Sequence, residues 1–320
     1  MDLKDKKEYI DKIRDLAKGK NAVIFAHYYT RPEIQECADF IGYSLALAQQ
    51  ATRVDADILV MCGVHFMGET MKILCPDKKV LIPDMAAGCS LADSCKAEDL
   101  KKVLSDEVQR TKEKPIVVSY VNTSAEVKAL TDVVVTSSNA KKIVDQLPKD
   151  AKIIFGPDHN LGSYINSVTG RNMLLWNGAC HVHSRFSLEA LLQLKSENPG
   201  VEVLAHPECK APILAQSDVI GSTKALLEHT IKSSAKRFII ATESGILFEM
   251  QRACPNKEFI PVPPEVTEGV GCSCNECEYM RMNTLEKLYA CLLNEQPEMH
   301  VKKETADKAV SSIQRMLEMS

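Results

Sequence analysis

The chain runs to 320 residues, enough for two or three domains, with 45% hydrophobic and 26% charged residues, the composition of a globular protein with a large core. A net charge of −4 without any dense Lys/Arg stripe excludes the footprint of a nucleic-acid binder, and no apolar run approaches the ~20 residues that cross a bilayer. The charged amphipathic start MDLKDKKEYIDKIRDLAKGK is not a secretory signal, so a cytoplasmic protein with a small-molecule partner, and neither nucleic acid nor membrane, is expected.

After the N-terminal helix, a first strand ends near His27, a second apolar run starts at Ile58 (ILVMCG), and a third reads KKVLIPD. The helix KAEDLKKVLSDEVQR leads to the clearest stretch. There PIVVSYVN, DVVVTS, AKIIFG and NMLLWN read as strands, alternating with helices at SAEVKAL, SNAKKIVDQL and Asn160 to Thr169. Short β-branched runs alternating with helices imply parallel strands joined by crossovers. The helix SLEALLQLKSENPG comes next, followed by RFIIAT and KEFIPV; VPPEV is an ordered loop, and TLEKLYACLL and KETADKAVSSIQRMLEM form a helical tail.

These stretches repeat. His27, Asp39 and Ser44 share their spacing with Tyr120, Asp132 and Ser137 and with His206, Asp218 and Thr223; counting on equally gives His65, Asp158 and Ser244. A period near 90 residues marks a tandemly repeated unit. The expected fold is therefore α/β: three homologous α/β/α units with small parallel sheets around a pseudo-threefold axis. Their bounds are 1–88, 89–179 and 180–280, and the tail 281–320 packs on the first unit.

Each repeat runs into cysteine: Cys89, Cys180 and the group Cys272, Cys274 and Cys277. One thiolate per copy converging on the axis would make a metal or cluster site with three protein ligands. The C-x-C-x-x-C spacing does not name the metal, and no second knuckle exists for zinc. A four-iron cluster on three cysteines would leave one iron open as a Lewis acid. Cys37, Cys62, Cys75, Cys209, Cys254 and Cys291 fall in apolar or helical patterns and read as core filler. A site for both Cys180 and His183 needs a turn in CHVHSRF, because a strand would send them to opposite faces.

Ligands of parallel α/β units bind beyond the carboxyl ends of the strands, where His27, Tyr120 and His206 stand. Ser44, Ser137 and Thr223 fall where N-caps belong, and three facing one centre would cradle anions. Asp39, Asp132 and Asp218 read as turn-closing residues, while His65 and Asp158 have even claims to touch ligand. In HPEC, Glu208 is a general acid/base candidate whose pKa moves towards neutrality when partly buried.

AHYYTRPEIQECADFIGYSLALA, IPDMAAGCSLADSC, SYVNTSAEVKALTDVVVTSSNA, FGPDHNLG, CHVHSRF, HPEC, IGSTKAL, ATESGI and CNECEYMRMN together resemble the quinolinate synthase family over nearly the whole chain. The resemblance implies three similar α/β domains and one 4Fe-4S cluster held by Cys89, Cys180 and Cys277, with one iron open; Cys272 and Cys274 remain extra thiols without a role. It implies condensation of iminoaspartate with dihydroxyacetone phosphate to quinolinate, with coupling to an aspartate oxidase or aspartate dehydrogenase as the source of iminoaspartate. It places His27, Tyr29, Ser44, Tyr120, Asn122, Ser137, His183, His206, Glu208 and Thr223 around the substrates. Glu208 is expected as the main acid/base with Tyr29 as partner and His183 and His206 in the catalytic set; His206, Ser137 and Thr223 hold anionic groups, and Tyr120 and Asn122 orient the substrate. An iron–sulfur hydro-lyase of another small anion is the alternative. A cluster-bearing sensor would not need Glu208, Tyr29 and the hydroxyls, and a dinucleotide redox enzyme lacks the G-x-G-x-x-G fingerprint.

Overall fold

The computed structural model describes residues 3–265 and 275–320; Cys272 and Cys274 lie outside the described residues. The first sheet consists of β1 (Ala22–His27), β2 (Phe40–Gly42), β3 (Ile58–Cys62) and β4 (Lys79–Leu81). The second has β5 (Ile116–Tyr120), β6 (Val133–Val135), β7 (Ile153–Gly156) and β8 (Leu174–Leu175), and the third β9 (Glu202–Ala205), β10 (Val219–Ile220), β11 (Arg237–Ala241) and β12 (Glu258–Pro261). All three share one order, β2-β1-β3-β4, β6-β5-β7-β8 and β10-β9-β11-β12, and every pair within them is parallel. The protein is thus an α/β chain of three repeated units.

Parallel pairing requires long connections, and the helices that fill them cover both sheet faces. That is why β3 is apolar without alternation and buried along its whole length. Leu59 and Ile239, on the inner strands of the first and third units, are completely buried; truncating either to Ala costs about 2–5 kcal/mol.

The repeated aspartates have a structural task that recurs three times. Asp39 Oδ2 accepts the backbone N–H of Ile24 at 2.7 Å, Asp132 Oδ2 that of Val117 at 2.8 Å, and Asp218 Oδ2 that of Val203 at 2.8 Å. In each case the aspartate's own N–H returns a bond to the carbonyl of the same residue, at 2.8–2.9 Å. The side chain thereby pairs strand groups that the short β2, β6 and β10 do not reach.

The first and second units share a core, one apolar cluster that includes Phe66 and Met67 of the first and Val134 and Ile143 of the second. The third has its own apolar layers around Val203 and Phe238, and Tyr28 and Tyr29 of the first unit pack against the latter. The tail divides between units rather than packing on the first alone. Leu288 and Leu292 of the helix Leu285–Asn294 join Ile10 and Ile13 of the N-terminal helix. The helix Lys303–Met319 instead lies across the second unit: Ser312 Oγ donates to Lys128 O at 3.0 Å and Gln146 Nε2 to Met319 O at 3.1 Å. Its Ala309, Ile313 and Met316, spaced to share one helical face, are buried in the core common to units one and two. Between these helices, Met299 N donates to Val80 O at 2.8 Å, covering the open edge of β4. Among the described residues no helix is long and apolar enough to cross a membrane.

Candidate active site

The carboxyl ends of the three sheets face one cavity. It is lined from the first unit by His27, Tyr29 and Ser44, from the second by Tyr120, Asn122 and Ser137, and from the third by His183, His206, Glu208 and Thr223. Cys89, Cys180 and Cys277 line the same cavity. His65 and Asp158 do not: the His65 ring is partly exposed with Nδ1 3.8 Å from Glu69, and Asp158 is sealed inside the second unit.

The loops after β1 and β9 fold alike. The backbone N–H of Tyr29 donates to His27 Nδ1 at 3.2 Å, and that of Glu208 to His206 Nδ1 at 3.4 Å. An accepting Nδ1 assigns the proton of a neutral ring to Nε2. Burial pushes the pKa of both rings down to about 3, so each presents a neutral Nε2–H donor. That of His206 lies 3.1 Å from Ser137 Oγ.

Glu208 is buried, with Oε1 accepting from the Tyr120 hydroxyl at 2.5 Å and Oε2 lying 3.1 Å from His183 Nδ1. Its pKa moves opposite to the sequence expectation. Burial pushes it up, but His183, His206 and the hydrogen bonds from His183 and Tyr120 outweigh burial and hold the carboxyl at about 2. Because burial keeps His206 neutral, the bonds from His183 and Tyr120 are the stabilisation that counts. Glu208 is therefore a carboxylate at neutral pH. Burial raises Tyr29 and Tyr120 above the ordinary phenol range, keeping both hydroxyls protonated.

His183 reaches this point through the required turn. Residues 183–185 form a 3₁₀ turn, Ser184 N donates to Cys180 O at 3.0 Å, and His183 Nδ1 comes to 3.3 Å from Cys180 Sγ. On its other side His183 Nε2 is 3.0 Å from Thr242 Oγ1, which is 3.1 Å from the Tyr29 hydroxyl. A continuous chain thus runs from Tyr29 through Thr242 and His183 to Glu208. Thr242 escaped the sequence reading, although it stands in the quoted segment ATESGI.

The three hydroxyls stand beside the helix caps rather than on them. Ser44 and Thr223 are first helical residues behind the caps Tyr43 and Ser222, and Ser137 precedes the cap Asn139. The extended backbone that a cap needs belongs to the preceding residue in the first two cases. Thr223 Oγ1 is consequently free to meet the Tyr29 hydroxyl at 2.7 Å.

The sheets also correct the repeat register. Ala26 pairs with Cys62, Ser119 with Gly156 and Ala205 with Ala241, which makes Val64, Asp158 and Glu243 the equivalent residues. The second unit holds one more residue between its two inner strands, so equal counting misaligned Asp158 with His65 and Ser244. The next residue of each unit then donates its N–H to a carbonyl: His65 to Ala87 at 2.7 Å, His159 to Gly178 at 2.8 Å and Ser244 to Asn275 at 3.1 Å. Each acceptor lies two residues before Cys89, Cys180 or Cys277, so these three cysteines are structural equivalents. Burial raises the Cys89 thiol to about 11, the Cys277 thiol to about 12 and that of Cys180 well above the usual range. Three soft donors, one at the equivalent position after each sheet, suit an iron–sulfur cluster, which would take them as thiolates. The six cysteines read as core filler are all buried.

Fold and site define a class: an α/β enzyme of three repeated units, with thiols, imidazoles and one carboxylate gathered where their strands end. The model of the family described as quinolinate synthetase A protein matches residues 11–318. Relatives named quinolinate synthase include that of Microcystis aeruginosa, 52% identical over 96% of this chain and 94% of its own length. Those of Synechocystis sp. (51%; 98% and 96%) and Chloroherpeton thalassium (50%; 98% and 95%) are also similar. The chain belongs to the quinolinate synthase family.

Proposed function

We propose that this enzyme condenses iminoaspartate with dihydroxyacetone phosphate to quinolinate, releasing phosphate and two waters. The convergence of Cys89, Cys180 and Cys277 with Glu208 on a single cavity carries this reading. Cys89, Cys180 and Cys277 would hold one 4Fe-4S cluster, whose open iron would supply Lewis-acid assistance to dehydration.

The other roles follow from protonation and position. Glu208, ionised and buried, acts as the acid/base group once substrate takes the place of one of its donors, because a carboxyl held at about 2 by Tyr120 and His183 is otherwise a weak base. Tyr29 serves at the opposite end of the chain as a proton donor, with Thr242 and His183 passing protons between the two. His27 and His206 offer neutral N–H groups, and Ser44, Ser137 and Thr223 offer hydroxyls, to the two carboxylates and the phosphate of the substrates. Donors fixed in place before binding need no reorganisation as charge shifts. Tyr120 and Asn122 orient the substrate, Tyr120 while holding Glu208. Iminoaspartate comes from an oxidase or dehydrogenase acting on aspartate.

The test is product formation by anaerobically reconstituted protein given dihydroxyacetone phosphate and freshly generated iminoaspartate, with quinolinate identified by mass. Turnover that disappears on replacing Cys89, Cys180 or Cys277 with Ser is the expected result. An intact cluster without quinolinate would overturn the assignment.

A further inference from the structure

Asp158 and Glu243 occupy the same place in the second and third units, two residues beyond β7 and β11, and both are completely buried. Interior carboxylates are costly unless their oxygens are satisfied, and the two satisfy theirs in the same way. Asp158 Oδ1 accepts the N–H of Leu161 at 2.7 Å and Glu243 Oε2 that of Gly245 at 2.6 Å, each within its own turn. The second oxygen crosses to the cysteine loop. Asp158 Oδ2 accepts the N–H of Cys180 itself at 3.1 Å, and Glu243 Oε1 accepts that of Cys277 at 2.9 Å. The first unit has Val64 at this position, buried and without an acceptor.

We propose that Asp158 and Glu243 are positioning residues that hold Cys180 and Cys277 ready to bind the cluster, while Cys89 is held without a carboxylate. The proposal rests on the three-thiolate reading above. A bond to a residue's own N–H restricts its φ, and with it the direction in which Cβ and Sγ leave the backbone. The clamp needs no ionised carboxyl: burial raises Glu243 to about 8 and Asp158 well above the usual carboxylate range, and a carboxyl oxygen accepts an N–H in either protonation state. The adjoining backbone pairs, His159 to Gly178 and Ser244 to Asn275, fix the loop at a second point, so the thiol direction is set before any iron arrives. Glu243 also follows Thr242 directly, which places the Cys277 clamp and the Tyr29–His183 link on adjacent residues.

The experiment compares Asp158→Asn and Glu243→Gln with the parent, using Glu249→Gln as a control for loss of a buried carboxylate elsewhere. Native, metal-free protein is treated with iodoacetamide and each alkylated cysteine is located by fragment mass. Glu243→Gln should speed labelling of Cys277 about tenfold and leave Cys180 unchanged, Asp158→Asn should do the reverse, and neither should affect Cys89. Reconstituted Asp158→Asn and Glu243→Gln proteins should release iron to a chelator about 10- to 100-fold faster than the parent. Equal labelling changes at all three thiols, no change at any, or the same iron release from Glu249→Gln would overturn the proposal. Glu243→Asp, which keeps a carboxyl and shortens the reach, stands in if Glu243→Gln does not fold, and Cys277 labelling at the parent rate would then count against the clamp. The labelling uses no metal, so a parent that fails to assemble a cluster defeats the three-thiolate reading while the clamp is still measured.

Discussion

The Tyr120 hydroxyl donates a 2.5 Å hydrogen bond to Glu208 Oε1, although the two residues stand 88 positions apart and belong to different units. The bond spans the cavity wall and keeps a buried carboxylate ionised. Tyr120→Phe removes one of its two strong donors. A hydrogen bond to a charged group is worth about 1.5–3 kcal/mol, so kcat/KM should fall roughly 10- to 100-fold by the conversion of free energy into rate. Steady-state kinetics with an unchanged circular dichroism spectrum is the check. Undiminished kcat/KM would show that Glu208 does not depend on Tyr120.

Thr242 joins Tyr29 to His183 through one hydroxyl. Thr242→Val keeps the shape and breaks the chain, whereas Thr242→Ser keeps the hydroxyl. Turnover should drop about tenfold or more in the Val protein, because proton transfer by positioned groups is worth at least that much, and recover in the Ser protein. Equal activity in both would sever Thr242 from the proton path.

Cluster assembly should release protons. Burial holds Cys89 near 11 and Cys277 near 12, with Cys180 also well above its usual value, so all three are thiols at neutral pH and would give up their protons on taking the proposed cluster. Apparent affinity in anaerobic reconstitution should therefore rise with pH from 7 towards 9, and a weakly buffered reconstitution should acidify. The triple Cys89→Ser, Cys180→Ser, Cys277→Ser protein, treated identically, sets the baseline, and a parent that acidifies no more than this control would contradict the thiol assignment.

Lys128 is a buried cation between units one and two, with its Nζ bonded to Thr123 O and lying over the Phe66 ring at 5.3 Å. Burial lowers its pKa from 10.5 to about 8, while Glu69 opposes the shift. Between these values the unfolded chain holds a proton that the folded chain lacks, so this group's contribution to stability grows as pH rises from 8 towards 10.5. The denaturant midpoint of the parent should gain on that of Lys128→Met across this window. Parallel midpoints would show that Lys128 does not titrate there.

Much of the fold was legible because parallel α/β units write themselves as short apolar runs at a fixed period. The three sheets and the cavity-facing ends of β1, β5 and β9 follow from local pattern, whereas Asp39, Asp132 and Asp218, read as closing turns, instead bond the neighbouring strand 15 residues earlier. The role of Asp158 did not follow either, because one extra residue between β5 and β7 shifts the count and only strand pairing reveals it. Thr242 and Glu243 were hidden for a related reason: a Thr and a Glu after a strand have many ordinary uses, and only their neighbours distinguish these.

By itself the sequence determined the repeat, the three cysteine-bearing loops and the residue types that the cavity would contain, since periodicity and spacing are properties of the chain. Tertiary structure alone decided the charge of Glu208. A carboxyl beside a proline could be exposed, neutral or ionised, and its state here depends on Tyr120 and His183 arriving from elsewhere in the fold to donate hydrogen bonds inside a buried site. The course of the last helix was decided in the same way. Its apolar face specifies burial, but not which sheet covers it.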